Sequence, residues 1–584
     1  MTMTSHLLDR RDVDFLLHDW LNADALADRE TIDAVIDLSQ KLATDQFLSH
    51  YKRSDVEEPR LDEAGNVRTC PPIGEALARY ADLGLFSAGF SEAQGGLGLP
   101  YLVCAASFAF FAAANAATAA YPMLTVANAR LIATFGSDAQ FEAFARPEIE
   151  GRWFGTMCLS EPQAGSSLAD VRTRAVPDGS DELGNRYRLV GNKMWISGGD
   201  QDVTENIVHL VLAKVPGEDG TLPAGTAGIS LFIVPKILPD GARNDVAVAG
   251  LNHKMGYRGT ANCLLNFGER GGAIGWIVGE AGEGLRQMFQ MMNEARIGVG
   301  LGAAAMGYRG YLLSVAYARE RLQGREIGQR GGLPVAIIEH PDVRRMLLQQ
   351  KSYVEGALAL CLYCARLVDT AEGSADDAAL LGLLTPIAKT WPSEYGLAAN
   401  DIAIQVHGGY GYTRDFDVEQ LWRDNRLNPI HEGTTGIQAI DLLGRKILQD
   451  GSGLPVLGLR VLQTVERARA ISGLEDHAGA LSEAWRGVTD TIDVLRIGER
   501  ALAFGNATPF LRAFGHVALA WLWLDQALAA SALDPSSPAD RNLADGKLRA
   551  CRFFFECELP NVRSLLRFVA SRSDVASDAP TRIF

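Results

Sequence analysis

The stretch RYRLVGNKMWISGGDQDVTENIVHLVLAKV, residues 186–215, interrupts a long helical pattern with two runs rich in β-branched and aromatic residues. A third run, GISLFIVPK at residues 228–236, follows a segment of Gly, Thr and Pro. Short runs of this kind, separated by turn-forming residues, are typical of strands that pair with their sequence neighbours. We therefore predict a compact antiparallel β domain over residues 156–272.

The sequence on either side of this β domain has the helical spacing of apolar residues. Residues 1–155 are predicted to form an N-terminal helical domain, and residues 273–450 a helical bundle in which Gly and Ala allow close contact between helices. The turn residues of DGSGLPVLG, residues 450–458, predict a linker to an appended C-terminal helical domain over residues 451–584. The predicted fold class is α+β, mainly α.

The composition is typical of an acidic multidomain enzyme. A chain of 584 residues with 47% hydrophobic residues exceeds what one core normally supports. The net charge of -16 argues against nucleic acid as a partner, because phosphate backbones are bound by clustered Lys and Arg. The eight cysteines are unevenly spaced, which indicates free thiols, and Cys361 and Cys364 lie in an apolar helical pattern that predicts core packing. The ten histidines lack ligand spacing, so no metal site is predicted.

One segment resembles a membrane span. Residues 93–129 contain no charge, and this length is enough to cross a bilayer. The segment is rich in alanine, contains Ser107, Asn115 and Thr118, and is expected to break at Pro122, so a helix buried in a bundle is the better interpretation. The N-terminus lacks the pattern of a signal peptide. We predict no transmembrane segment and a cytoplasmic location.

A single carboxylate, Glu432, lies in RLNPIHEGTTGIQ, residues 426–438, between a Pro-Ile-His run and a Gly-Thr-Thr-Gly turn. One interpretation is an acid at the start of the following helix, where it interacts with the helix dipole. The other is a proton-transferring group in a site that the loop helps to build. The loop alone favours the first interpretation.

Five stretches together change that balance. They are GLFSAGFSEAQGGLGLP (84–100), MCLSEPQAGSSLADV (157–171), NKMWISGG (192–199), KMGYRGTANCLLNF (254–267) with ARIGVG (295–300), and the run from QVHGG to TTGIQ (405–438). In this order and spacing the chain resembles the acyl-CoA dehydrogenase family over residues 70–450. Its length and its extra C-terminal helices resemble the larger bacterial branch of about 600 residues, which includes broad-range fatty acyl-CoA dehydrogenases and methylmercaptopropionyl-CoA dehydrogenase.

The resemblance implies FAD held between the β domain and the second helical domain, with an acyl-CoA thioester across its ring. Glu432 matches the family's base, which removes the proton beside the thioester carbonyl while hydride leaves the β carbon for flavin N5. Exclusion of water would raise the pKa of this carboxylate. The backbone N–H of the base residue and a ribityl hydroxyl would stabilise the thioester oxygen. Some relatives carry the base at the position of Ala295, which cannot accept a proton.

The resemblance also assigns cofactor-binding residues. They are Met157, Cys158, Leu159, Ser160, Ser166, Trp195, Ile196, Ser197, Arg321, Gln323, Gln405, Val406, His407, Gly408, Gly409, Thr434, Thr435 and Gly436. Ser160 and nearby backbone would contact the pyrimidine edge, Trp195 would shield the ring system, and Ser197 would hydrogen-bond N5. In isolation Trp195 is more simply a sheet aromatic.

Two of these residues are assigned to the phosphates. Arg321 and Gln323 match the family's pyrophosphate-contacting pair, although the aromatic residue that usually follows the glutamine is missing. The QVHGG turn matches the wall around the adenosine of a partner subunit's FAD, where missing side chains permit close backbone approach. The simpler alternatives are a solvated helix charge for Arg321 and a tight turn for the glycines.

Four residues are assigned to the substrate by the resemblance: Ser166, Asn293, Arg296 and Gly433. Ser166 would meet the CoA arm, but Ser167 stands where the family commonly has Asp, which weakens any contact that depends on that charge. His431 precedes the base where relatives often have Tyr, and both tuning of Glu432 and simple packing remain open.

The predicted function is α,β-dehydrogenation of an acyl-CoA to a trans-2-enoyl-CoA, within fatty acid β-oxidation, by a homodimer that passes electrons to an electron-transferring flavoprotein. Two alternatives remain: an acyl-CoA oxidase whose flavin reacts with oxygen, and a catalytically silent, DNA-associated flavoprotein of the same family. The acidic charge and the retained Glu432 argue against the second.

The C-terminal helices contain the aromatic runs ALAWLWLDQ and CRFFFECELP, residues 518–526 and 551–560. These could dock on a membrane or bury against the rest of the protein. We predict burial, because no Lys- or Arg-rich face accompanies the aromatics of the first run.

Overall fold

The computed structural model describes residues 6–328, 331–497 and 499–584, without the side chains of residues 289–292. Contacts within the chain divide it into two compact units. The unit that we call helical contains Tyr101–Ala109, Arg296–Phe584 and the N-terminal residues up to Asp33. The unit that we call the sheet unit contains Ala34–Pro100 and Phe110–Ala295.

The α-helices dominate both ends of the chain. They are α1 (Arg10–Asp14), α2 (Arg29–Leu42), α3 (Tyr51–Val56), α4 (Pro71–Asp82), α5 (Tyr101–Phe135), α6 (Asp138–Gln140), α7 (Arg146–Ile149), α8 (Gly284–Glu320), α9 (Pro341–Thr370), α10 (Ala375–His407), α11 (Asp417–Asn425), α12 (Thr435–Ile440), α13 (Gly453–Arg469), α14 (Glu475–Ile497), α15 (Arg500–Gly505), α16 (Ala507–Ala530), α17 (Pro538–Phe553) and α18 (Asn561–Ala570). A π-helical segment, Asp441–Asp450, continues α12, and similar short segments follow α1, α2, α6 and α17.

The strands lie between α3 and α8. They are β1 (Arg60–Leu61), β2 (Val67–Arg68), β3 (Trp153–Cys158), β4 (Arg174–Asp181), β5 (Gly184–Ser197), β6 (Asn206–Lys214), β7 (Ile229–Pro235), β8 (Val246–Leu251), β9 (Asn262–Phe267) and β10 (Ala273–Ile277). β1 and β2 form a separate hairpin within the predicted N-terminal helical domain. The other eight form one sheet in the order β10-β7-β6-β4-β5-β9-β8, with β3 added beside β6. The predicted α+β class is confirmed.

The sheet has apolar residues on both faces, which explains why β6 and β7 are continuous apolar runs. Val208, Leu210 and Leu212 of β6 belong to one buried cluster, while Val211 and Ala213 belong to another. Alternate residues of a strand point to opposite faces, so both faces of β6 are covered.

The sheet is not purely antiparallel, which corrects the sequence prediction. β3 runs parallel to β6, with Trp153 opposite Asn206 and Cys158 opposite Val211. Parallel neighbours require a long connection, and the two strands β4 and β5 provide it between β3 and β6. The strand pattern reports residue composition and not the direction of a non-local neighbour.

Helix α5 contains the apolar segment that resembles a membrane span. Among the described residues, α5 is the one helix that is long and apolar enough to cross a bilayer. In its most apolar 18-residue stretch, 89% is buried inside the protein, as expected for a core helix. Its break lies at Asn115, with φ -159° and ψ 92°, and not at Pro122 as predicted. The Asn115 side chain explains the position, because its oxygen accepts from the Thr118 N–H and caps the second half of the helix.

The predicted linker at residues 450–458 is shorter than expected. Gly451 has φ 72° and ends the preceding helix, and α13 already begins at Gly453. Pro455 is accommodated because it stands in the first turn, where backbone N–H groups have no helical acceptor. The appended helices bury their aromatics, as predicted: Trp523 is fully buried and donates to the carbonyl of Ser352 on α9.

Close helix contact in the bundle occurs between α8 and α10. A Cβ on Gly300 of α8 would overlap the carbonyl oxygen of Ala388 on α10. This observation confirms that small residues bring these helices together. Cys361 and Cys364 of α9 are fully buried, in agreement with the predicted core packing.

Candidate active site

Glu432 lies in the loop between α11 and α12 of the helical unit. Its backbone is left-handed, with φ 51°, and Gly433 follows with φ 86°. Helix α12 is capped by Thr434, whose Oγ1 accepts from the Ile437 N–H at 3.4 Å. Glu432 therefore lies two residues before the cap of α12 and does not itself cap that helix.

The Glu432 carboxyl group does not take part in the ion pairs around it. Within the described part of the chain it makes no hydrogen bond or ion pair, and burial raises its pKa above the ordinary value, against the opposing charges of Lys389 and Arg296. A carboxylate of raised pKa is a stronger base than an exposed one. The position suits proton abstraction.

His431 is a neutral neighbour of this acid. Burial, reinforced by the charge of Lys389, lowers the pKa of His431 to about 3. Its Nε2 lies 3.0 Å from Oδ1 of Asn428. This geometry accounts for His431 as a neutral side chain that hydrogen-bonds within the loop.

Lys389 of α10 is the residue near Glu432 that the sequence analysis missed. Its ammonium donates to the carbonyl oxygens of Asn428 and Gly433, each at 2.7 Å. A single lysine in the apolar run LLTPIAKTW, residues 383–391, was the available signal, because a buried cation is uncommon.

The residues assigned to the substrate lie in different environments. Arg296 is buried and pairs with Asp441 through Nη1 and Oδ2 at 2.8 Å, while its buried Nε has no hydrogen-bond acceptor among the described residues. Asn293 is partly exposed and Ser166 is exposed, both in the sheet unit, and Gly433 adjoins Glu432. The structure thus brings Arg296 and Gly433 into the surroundings of Glu432 within the helical unit.

A cavity of about 470 Å³ opens in the helical unit at the end of α10. It is lined by Tyr317, Arg321, Gln323, Ile337, Val406, His407, Gly408, Gly409, Tyr410 and Thr413. Six of the residues assigned to the cofactor therefore share one cavity, although they come from two separate segments.

The cavity combines a cation, aromatic rings and bare backbone. Arg321 is exposed and lies over the ring of Tyr410, 5.7 Å from its centroid. His407 stacks on Tyr317 at 4.4 Å. Gly408 has φ 61° and ψ -139°, a conformation that suits only glycine, and a Cβ there would meet nothing within 4 Å. Such an opening allows a ligand to approach the backbone.

Other residues assigned to the cofactor in the helical unit lie outside this cavity lining. Gln405 is exposed on α10. Thr434 caps α12, and Thr435 Oγ1 donates to Glu394 Oε1 at 3.1 Å. Gly436 lies in the first turn of α12, directly after these two threonines.

The sheet unit carries the residues assigned to the flavin ring. The side chains of Cys158 and Ile196 are buried in the sheet core, so their backbones alone can meet a ligand. Met157, Leu159 and Ser160 are partly exposed.

The β5 segment turns outward at Trp195. The pairing of β5 with β9 shifts register between Lys193 and Ile196. Trp195 lies in this shift with φ 67°, and the residue is 58% exposed. Ser197 Oγ accepts from Asn262 Nδ2 at 3.2 Å, which leaves the hydroxyl hydrogen free to donate. A bulge of this kind redirects side chains toward a ligand.

A buried ion pair supports this edge and was also missed. Lys193 Nζ lies 3.0 Å from Glu161 Oε1 and donates to the carbonyl of Leu159 at 2.9 Å. Burial opposes ionisation of Glu161, but Lys193 and hydrogen bonds from Thr173 lower its pKa to about 2. The pair joins β5 to the loop after β3.

Among the residues that the structure describes, one cluster has the spacing of metal ligands, namely Asp14, His18 and Asp33. Arg10 bonds both acids, at 2.7 Å to Asp14 and 3.3 Å to Asp33. These contacts form an ion-pair network that joins the N-terminal helices.

Comparisons with known proteins match most of the chain. Four family models match consecutive segments: the acyl-CoA dehydrogenase N-terminal domain (residues 51–152), middle domain (156–269) and C-terminal domain (282–448), and the acetyl-CoA dehydrogenase C-terminal like family (459–580). The 3-methylmercaptopropionyl-CoA dehydrogenase of Ruegeria pomeroyi is 37% identical over 503 residues, which cover 82% of this chain and 82% of that protein. The broad-specificity linear acyl-CoA dehydrogenase FadE5 of Mycobacterium tuberculosis is 32% identical over 96% of this chain and 97% of its own length.

Solved structures agree in fold. Caenorhabditis elegans ACDH-11 in complex with C11-CoA gives a TM-score of 0.81 at 20% identity, covering 98% of this chain and 95% of that one. The Bacillus anthracis acyl-CoA dehydrogenase complexed with FAD gives a TM-score of 0.73 at 19% identity. The match covers 99% of this chain and 93% of that one. The chain belongs to the acyl-CoA dehydrogenase family of oxidoreductases, whose members bind FAD.

Proposed function

We propose that this protein dehydrogenates acyl-CoA thioesters to trans-2-enoyl-CoA, with Glu432 as the base. The observation that carries the proposal is the Glu432 carboxyl group, which burial makes more basic and which has no ion-pair or hydrogen-bond partner among the described residues. A proton beside a thioester carbonyl is weakly acidic, so its removal requires such a base.

The backbone of the same loop can assist. The Glu432 N–H has no acceptor among the described residues, which leaves a donor beside the base. A backbone N–H at this position would stabilise the charge that develops on the thioester oxygen as the proton leaves.

The residues assigned to FAD fit such a group. The cavity at the end of α10 offers the Arg321 guanidinium for phosphate and the open backbone at Gly408 for close approach. In the sheet unit, the Ser197 hydroxyl can donate and Trp195 presents an exposed aromatic face. Bound FAD would supply the acceptor for the hydride that leaves the β carbon.

Gly408→Ala tests the assignment of the cavity. A Cβ is unfavourable at φ 61° and ψ -139° and would enter the cavity, so we expect a lower FAD content per purified protein. Gly479→Ala is the matched control, because Gly479 is exposed on α14 with nothing within 4 Å of an added Cβ. Equal FAD retention in the two variants would contradict the assignment.

The names of the relatives guide the choice of substrates. We propose linear acyl-CoAs as substrates, a role in fatty acid β-oxidation, an electron-transferring flavoprotein as acceptor, and a cytoplasmic homodimer with FAD at the subunit interface. The names of the two relatives, one acting on 3-methylmercaptopropionyl-CoA and one on linear acyl-CoAs, support this substrate class.

The decisive experiment is anaerobic mixing of the FAD-loaded protein with a panel of linear acyl-CoAs and 3-methylmercaptopropionyl-CoA. We expect loss of the oxidised flavin absorbance, an enoyl-CoA product, and slow reoxidation in air. Rapid reoxidation by oxygen would indicate an oxidase. No reduction by any member of the panel, with DNA retardation in a gel-shift assay, would indicate the silent flavoprotein.

A further inference from the structure

Lys389 is a fully buried lysine on α10, between Pro386 and Pro392. Its two described hydrogen bonds go to backbone carbonyl oxygens of the Glu432 loop: Asn428, four residues before the acid, and Gly433, directly after it. Burial of a lysine without a carboxylate partner is costly, and here it lowers the Lys389 pKa to about 8. A costly contact of this kind indicates a specific role.

The loop that Lys389 holds is conformationally strained. Left-handed backbone at a residue other than glycine costs about 1–3 kcal/mol, and Glu432 adopts it. Lys389 fixes the carbonyl of Gly433, and Gln438 Nε2 donates to the carbonyl of Glu432 at 3.1 Å. These two side chains therefore hold the carbonyl groups of both Glu432 and Gly433.

The other charged groups around Glu432 are already paired. Arg296 on α8 pairs with Asp441 at 2.8 Å, and the same carboxylate pairs with Arg445 at 2.6 Å. Glu394 on α10 accepts from Arg512 Nε on α16 at 3.1 Å. His431 is neutral, because burial lowers its pKa to about 3. Among the described groups that act on Glu432, Lys389 is therefore the cation without an ion-pair partner.

We propose that Lys389 is a positioning residue for the base: its ammonium holds the Glu432 turn through two carbonyl oxygens, and its charge keeps the Glu432 carboxyl ionised and ready to accept the substrate's proton. This inference rests on the proposed dehydrogenase function. It extends that function by a residue that need not touch substrate.

The test separates the charge of Lys389 from its hydrogen bonds. Lys389→Gln removes the charge and keeps N–H donors on a side chain one bond shorter, while Lys389→Arg keeps the charge. The readout is the acid limb of kcat/KM against pH, which reports ionisation of the base. We expect Lys389→Gln to move that limb to higher pH by roughly one unit and Lys389→Arg to leave it near the wild-type position.

Lys547→Gln is the matched control. Lys547 is also fully buried, and it pairs with Asp12 at 2.5 Å and Glu355 at 3.0 Å. Its loss should lower stability without moving the limb. An unmoved limb in Lys389→Gln, with lower stability alone, would overturn the proposal and leave Lys389 as a packing residue.

A second readout needs no turnover. The stability difference between Glu432→Gln and the protein that retains Glu432 changes with pH between the unfolded-state pKa of Glu432 and its raised folded-state pKa. Measured by urea unfolding of the holoprotein, the upper end of this pH range should move to higher pH when Lys389→Gln is also present. Identical ranges in both backgrounds would contradict the inference even in an active enzyme. An inactive wild type would refute the dehydrogenase function while this comparison still tests Lys389.

Discussion

Two glutamates of the helical unit, the buried Glu355 and the partly exposed Glu432, each lie near lysines, but their carboxyl groups differ in pairing. Glu355 pairs with Lys351 and, at 3.0 Å, with Lys547. Burial alone would raise the pKa of Glu355, but the attraction of these two lysines outweighs it and lowers the pKa. Near Glu432, Lys389 gives its described hydrogen bonds to backbone carbonyls, and burial prevails, so the pKa is raised.

This difference in pairing indicates a structural role for Glu355 and a chemical role for Glu432. Lys547 of α17 also pairs with Asp12 of α1, and Tyr308 of α8 donates to Asp12 at 2.9 Å, so the charges around Glu355 join four helices. A paired carboxylate is poorly available for proton transfer. An unpaired one costs stability but remains able to accept a proton.

The largest effect is expected from Glu432→Gln. Loss of a general base lowers the rate of proton transfer by about a thousandfold, so turnover with an acyl-CoA should fall to that extent with little change in substrate binding. Glu355→Gln should retain the wild-type rate per folded molecule. Comparable losses of turnover in both variants would mean that the two acids do not differ in role.

The next effect concerns stability. Glu355→Gln leaves Lys351 and Lys547 without one carboxylate, and breaking a buried ion pair typically costs about 3–5 kcal/mol. Urea unfolding at neutral pH should show this loss, whereas Glu432→Gln should show none. A Glu355→Gln protein as stable as the wild type would remove the structural half of the comparison.

The pH dependence of the Glu355 contribution should be that of an acid with a lowered pKa. Its stabilisation is fully present above the unfolded-state pKa of about 4.3 and is lost as pH falls through the lower folded-state pKa. The stability advantage of the wild type over Glu355→Gln should therefore shrink on acidification, as urea unfolding at a series of pH values would show. A constant difference between pH 7 and pH 3 would contradict the ion-pair account.

The smallest expected effect is a gain of folding stability, in Glu432→Gln. Because the folded-state pKa of Glu432 is raised, the wild type is penalised above that pKa and relieved of the penalty as pH falls to the unfolded-state value. Glu432→Gln should be the more stable protein at pH 8, with the gain disappearing near pH 4. Thermal unfolding of both holoproteins across this range measures it, and a variant less stable than wild type at every pH would refute the unpaired state of Glu432.

Periodicity and short motifs predicted the main elements of this fold because they are local signals. The apolar runs of β6 and β7 and the helical spacing of α8 needed no knowledge of distant contacts. The break at Asn115 depended on a side-chain cap, and the parallel pairing of β3 with β6 on a neighbour about fifty residues away. The predicted domain boundaries at residues 155, 272 and 450 stay predictions.

The candidate site was predicted where a motif names the residue and missed where a tertiary contact defines it. Motif matching named Glu432 and the QVHGG turn. Lys389 stands on α10, 43 positions before Glu432, and Lys193 of β5 pairs with Glu161 in the loop after β3, so no local pattern links either pair. A lone charged residue in an apolar run was the usable signal for Lys389.

Rapid anaerobic mixing with an acyl-CoA tests the role of Glu432 most directly, by following flavin reduction in the FAD-loaded wild type and Glu432→Gln at equal cofactor content. We predict fast bleaching of the flavin in the wild type and bleaching slower by about a thousandfold in the variant. Bleaching at the same rate in both proteins would show that another group removes the proton.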